Sequence, residues 1–150
     1  MRITTGLVAA ISSIILCTAS LAQDRLPAYV RGNAYIAGQL LGCTIRLETY
    51  HRQTVDRAQA AGRTLPANYQ LNLIAGLDVG ALRADSKQAL IATSNEPVPI
   101  DEMEVAIAEI AGMEYDATSA GTPGYHEAWG QAVACAGLFH QFGLYDLYRQ

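Results

Sequence analysis

The sequence predicts an all-α fold: a single-domain bundle of four main helices stapled by one disulfide. Three observations carry that expectation. Apolar residues recur three or four apart in four separate segments. Proline and glycine fall at the boundaries of those segments, as they do at helix entrances and exits. Sustained period-two alternation and Asn-Gly or Asp-Gly hairpin signals are both missing.

The first twenty-two residues stand apart. "MRITTGLVAAISSIILCTASLAQ" places Arg2 ahead of an apolar run from about Leu7 to Leu16, then small residues at Ser20 and Ala22. That layout is a secretory signal, with cleavage expected after Ala22. Bulky Leu16 before Cys17 speaks against a lipoprotein site, so Cys17 leaves with the signal. The remaining chain, Gln23 to Gln150, is one domain by length and large enough for a core of its own. Nothing after the signal is apolar for long enough to span a bilayer. A periplasmic protein without a membrane span is the expectation.

Segment one runs from Pro27 to Gly62, with Tyr29, Ile36, Leu40, Cys43, Leu47 and Tyr50 on one stripe, as either one helix or two meeting near Thr49. Segment two opens at Pro66 and reaches about Thr93, with Leu71, Leu73, Ile74 and Leu77 as its apolar positions. Its Gly76 and Gly80 each weaken a helix by around 1 kcal/mol relative to Ala, unless they allow close helix approach. "SNEPVPID" then interrupts the chain. Segment three covers roughly Asp101 to Tyr115, with Asp101 as N-cap, Met103, Ile107 and Ile110 on its stripe and Ala106 and Met113 beside it. "ATSAGTPG" interrupts again, and segment four runs from about Tyr125 to Tyr148 with Ala128, Ala132, Cys135, Phe139 and Phe142 on its stripe.

Two cysteines remain after the signal, Cys43 and Cys135. An even pair in an oxidising compartment reads as a disulfide, and both residues lie on apolar stripes. The bond would join the first helix to the last. No C-x-x-C or paired-His spacing accompanies the cysteines, so no metal site is expected.

Catalytic motifs are not found. His51, His126 and His140 occupy three unrelated settings, and "YHEAW" fails the H-E-x-x-H pattern because position 130 is Gly. Cys135 and His140 are five apart, about 140° around a helix axis, which separates thiol from imidazole. No phosphate loop and no G-x-S-x-G elbow occurs. No catalytic residue, cofactor or enzymatic constellation is therefore assigned.

Charge is uneven. Arg25, Arg31, Arg46, Arg52, Arg57 and Arg63 crowd the first half, whereas Gln88 to Tyr148 holds no Lys or Arg. That later span carries Glu96, Asp101, Glu102, Glu104, Glu109, Glu114, Asp116, Glu127 and Asp146. It reads either as a solvated acidic face or as a surface that steers a cationic partner. A net charge of -4 over the full chain and dispersed arginines disfavour nucleic acid.

Two loops have the composition of protein-binding surfaces. One is "SNEPVPI", with Glu96 and the stiffening Pro97. The other is "MEYDATSAGTPGYHEAW", with Tyr115, Asp116, Ser119, Thr122 and Tyr125. Trp129 at the end of the second is expected to finish the core.

The stretch "CAGLFHQFGLYDL" resembles the C-terminal motif of the type VI secretion amidase immunity proteins, through Cys135, Leu138, Phe139, His140, Leu144 and Leu147. "GQLLGCTIR", with Cys43, is similar to that family's first cysteine segment. Gln141 departs from the small polar residue of the pattern, and the middle of the chain carries no match. The resemblance implies a small helical periplasmic protein, usually a homodimer, that blocks a peptidoglycan-cleaving amidase effector by placing a loop in its cleft. The plug would be one of the two loops just named. The alternative is a structural or assembly factor of a bacterial envelope machine.

Overall fold

The computed structural model describes residues 25–117 and 123–150, with side chains for all of these but 123–126. Residues 1–24, which include the predicted signal, and 118–122 lie outside them. Among the described residues six α-helices and one 3-10 turn follow in order: α1 (Ala28–Arg31), α2 (Ala34–Ala60), the turn Asn72–Ile74, α3 (Val79–Thr93), α4 (Ile100–Asp116), α5 (Pro123–Gln141) and α6 (Leu144–Leu147). The four long ones are the four main helices that the sequence predicts.

Segment one divides at its start rather than near Thr49. Asn33 caps α2, its Oδ1 accepting from the amides of Tyr35 and Ile36 at 3.0 and 3.2 Å. Thr49 lies buried within an unbroken helix. α2 ends in a Schellman turn: Gly62 N donates to Gln59 O, Arg63 N to Ala58 O at 2.8 Å, and Gly62 takes φ +68. The left-handed backbone sends the chain back along α2.

Segment two is helical only in its second half. Gly76 takes φ +76, which ends any continuous helix from Pro66. Asp78 then caps α3, accepting from Ala81 N at 3.0 Å. Ile74 and Leu77 still reach the core, but from a turn and an extended residue. Gly80 has only Asp78 Oδ1 near its Cβ position, at 3.8 Å, so no neighbouring helix approaches there. α4 begins at Ile100 behind Pro99, so Asp101 sits in its first turn instead of capping it. Gly143, at φ +66, separates α6 from α5.

Contacts fix the directions. Gly38 faces Leu90 and Glu48 meets Arg83, so α3 runs back along the first half of α2. Arg83 and Lys87 pair with Glu104 and Asp101, so α4 returns antiparallel to α3. Tyr115 and Ala128 line one cavity while Ile107 and Leu138 line another, so α5 descends beside α4. The second half of α2, longer than its partners, is flanked by the 62–69 segment and the end of α4.

Leu40, Leu41, Leu47, Leu82, Phe139, Leu144 and Tyr148 form the fully buried centre. The predicted stripes of segments one and four face it, apart from exposed Tyr29, whose ring leans on Phe142 at 5.8 Å. α4 is rotated from expectation. Ile100, Met103, Ile107 and Ala111 turn inward, leaving Ala106 exposed, Ile110 47 % exposed and Met113 65 % exposed. Ala111 lies about 100° around the axis from Ile110, so packing through one row carries the other to the rim. Cys43 and Cys135 form the predicted disulfide between α2 and α5, with a Cα–Cα distance of 5.3 Å. Among the described residues no helix is long and apolar enough to cross a membrane.

Candidate partner-binding site

The two sequence-predicted loops stand at opposite ends of α4, whose seventeen residues span about 25 Å. Glu96 and Pro97 are exposed before its N-terminus. Tyr115 and Asp116 close its C-terminus. Ser119 and Thr122 lie outside the described residues, as does the side chain of Tyr125, whose backbone belongs to α5. The structure thus separates Glu96 and Pro97 from Tyr115 and Asp116, and the two sets do not share one surface.

The Tyr115 end is held by α2 through a ladder of polar contacts. Arg46 donates from Nε and Nη2 to the two Glu114 carboxylate oxygens at 3.0 and 3.2 Å. Tyr50 donates its hydroxyl to Glu114 Oε2 at 2.6 Å. One turn on, the Thr54 and Tyr115 hydroxyls are 2.7 Å apart. Arg57 caps the ladder, its Nη2 donating to Tyr115 O and Asp116 Oδ1 at 3.2 and 3.3 Å. Burial, reinforced by the Glu114 bond, pushes the Tyr50 phenol well above its ordinary value. Burial also works to raise the Glu114 carboxyl, but the bonds from Arg46 and Tyr50 outweigh it and hold the group below its ordinary value.

These contacts resolve the charge asymmetry. The arginines of α2 and the cations of α3 meet the acids of α4: Arg46 with Glu114, Arg57 with Asp116, Arg83 with Glu104, and Lys87 with Asp101 and Glu104. Much of the acidic run is therefore neutralised within the fold. Glu96, Glu102, Glu109 and Glu127 have no ion-pair partner among the described residues.

Beside Tyr115 the bundle opens into an apolar cavity of about 350 Å³. Leu71 and Leu73 supply one wall, Tyr115 a second, and Ala128, Trp129 and Ala132 of α5 a third, with Tyr69 and Asn72 at its edges. Trp129 does not finish the core. It is 56 % exposed, because its turn of α5 buries Ala128 instead and Trp129 follows about 100° around the axis. Sequence reading missed Tyr69, and it put Leu71 and Leu73 on a helix, whereas they flank and form the 3-10 turn and line the cavity. The dipeptide Pro66–Ala67 before "NYQ" was the available hint of a turn, and Tyr69 N does donate to Pro66 O at 2.9 Å.

Cys135 and His140 are not paired: Cys135 is buried in the disulfide, and exposed His140 packs its ring against Tyr145 at 4.5 Å. Among the described residues no group of three or more His, Cys, Asp or Glu is placed to hold a metal ion. Compared with known proteins, the chain matches no family model, no curated protein and no solved structure.

Proposed function

We propose that this chain is a periplasmic, non-enzymatic inhibitor of the immunity type, which binds and blocks a peptidoglycan amidase toxin. The observation that carries the reading is the α4–α5 end of the bundle. An exposed tryptophan, a tyrosine fixed from two sides and an apolar cavity adjoin there on rigid helices. Aromatic anchors beside a pocket, held in place before binding, are what tight protein interfaces use. The inter-helix disulfide and the absence of a membrane-spanning helix among the described residues are compatible with an extracytoplasmic site of action. Of the two loops, the one that follows Tyr115 is the docking element, and the Glu96–Pro97 loop is not.

A second reading draws on the outer face of α4. Val105, Ile110 and Met113 are exposed on α4. Such a face suits a second copy of this chain, giving a homodimer, or an obligate partner in an envelope assembly. The test is direct: the chain is mixed with the product of a neighbouring small Cys–His hydrolase gene. Stoichiometric loss of peptidoglycan cleavage supports the inhibitor, whereas stable association without inhibition supports the assembly factor.

A further inference from the structure

We infer that the concavity between the last turns of α2 and the segment 62–69 is a binding site for a carboxylate carried on an apolar group, such as the free C-terminus of a short peptide. The concavity measures about 660 Å³, within the range of small-molecule sites. It exists because His51, Val55 and Gln59 fall on one face of α2, and the turn at Gly62 folds the chain back over them.

His51 supplies an oriented donor. Its ring stacks on Tyr69 with centroids 5.7 Å apart and planes 15° apart. Nδ1 is buried and has no hydrogen-bond partner among the described residues. An unpaired buried N–H costs more than an unpaired lone pair, which places the neutral ring's proton on Nε2. Nε2 has no hydrogen-bond partner among the described residues, so its N–H is open to a ligand.

Arg63 supplies the charge. The other cations that flank α4 are engaged with carboxylates, but Arg63 lines this concavity with no ion pair among the described residues. No acidic residue lines it either. A guanidinium matches the planar fork of a carboxylate. The site also lies at the C-terminal, partially negative end of α2, which opposes any anion and a dianion such as phosphate more than a carboxylate, so Arg63 must offset it. Leu65 and Pro66 form apolar wall for the remainder of the ligand.

The site adjoins the Trp129 cavity, since Tyr69 edges both, but the inference does not depend on the inhibitor reading, because the ligand is titrated into this chain alone. N-acetylphenylalanine, its amide and inorganic phosphate are each titrated while the His51 imidazole and the amides of 62–69 are followed by NMR. Saturable shifts with the acid in the millimolar range are expected, with the amide at least about tenfold weaker, as loss of a charged hydrogen bond requires. Arg63→Ala, an exposed change that leaves the helical spectrum intact, lowers the acid's affinity by a similar factor. The inference is overturned if acid and amide bind equally, if phosphate binds more tightly than the acid, if Arg63→Ala changes nothing, or if no saturation occurs by tens of millimolar.

Discussion

Arg57 holds Tyr115 from two directions: its guanidinium lies 4.5 Å from the centroid of the phenol ring, and its Nη2 donates to the Tyr115 carbonyl oxygen at 3.2 Å. One side chain from α2 therefore fixes both the ring and the backbone where α4 ends. Cation–π contacts at exposed sites contribute about 0.5–1 kcal/mol, and the surface pair to Asp116 adds little. The gain is chiefly orientation, since a residue already fixed loses less freedom when it binds.

Arg57→Ala is accordingly expected to weaken partner binding several-fold while moving the unfolding free energy by less than about 1 kcal/mol. Paired titration calorimetry and urea denaturation separate the two effects. A large stability loss with unchanged affinity would show that the contact serves the fold alone.

Trp129→Ala removes the exposed anchor beside the cavity. The expected loss is about 2 kcal/mol of binding or more, roughly thirtyfold, with near-normal stability because the ring is half in solvent. Trp129 is the chain's single tryptophan, so its emission reports occupancy of the cavity directly. Partner binding that leaves this emission unchanged places the interface elsewhere.

Reduction of Cys43–Cys135, or Cys43→Ser with Cys135→Ser, opens a loop of 92 residues' separation. The chain-entropy estimate for such a loop is about 4–5 kcal/mol, with 2–4 usual in practice. Thermal unfolding with and without reductant measures it, and an unchanged midpoint would mean that packing alone fixes α5 against α2.

Glu114 links the site to pH. Its folded-state carboxyl is held below the ordinary 4.5, so its contribution to stability is complete above that value. The contribution is lost as pH falls through the lower folded-state value. Glu114→Gln is thus expected to flatten the acid limb of the stability curve below about pH 4.5. Parallel acid limbs in the two proteins would assign that slope to other carboxylates.

Tyr148 donates its hydroxyl to the buried Asp85 carboxylate at 2.6 Å, with Arg25 at 3.6 Å from the same oxygen. Asp78 N also donates to Tyr148 O at 2.7 Å, so the C-terminal tail closes on the start of α3. Tyr148→Phe leaves Asp85 short of a donor, an expected cost of about 1–3 kcal/mol by urea denaturation. A change below about 0.5 kcal/mol would show that Arg25 alone satisfies the carboxylate.

Helix count, the disulfide and most inward stripes were legible because they rest on local periodicity and on cysteine parity. Three features were not. The loss of helix before Val79 depends on Gly76 adopting a left-handed backbone, which composition alone does not require. The rotation of α4 and the exposure of Trp129 depend on which of two adjacent apolar rows meets its neighbours. The charge asymmetry was visible, but its meaning was not, because the arginines of α2 and the acids of α4 are brought together only by the fold. Of the candidate site, Tyr115 and Asp116 were readable from loop composition. Tyr69 was not, since it sits in irregular chain and is fixed by stacking on His51 of α2.

The central claim is tested most directly by titrating the purified chain into a peptidoglycan amidase effector and following cleavage of cell-wall muropeptides. Stoichiometric inhibition is expected, with co-elution of the two proteins, preserved by Glu96→Ala with Pro97→Ala and lost with Trp129→Ala. Full cleavage at a molar excess of the wild-type chain would contradict it.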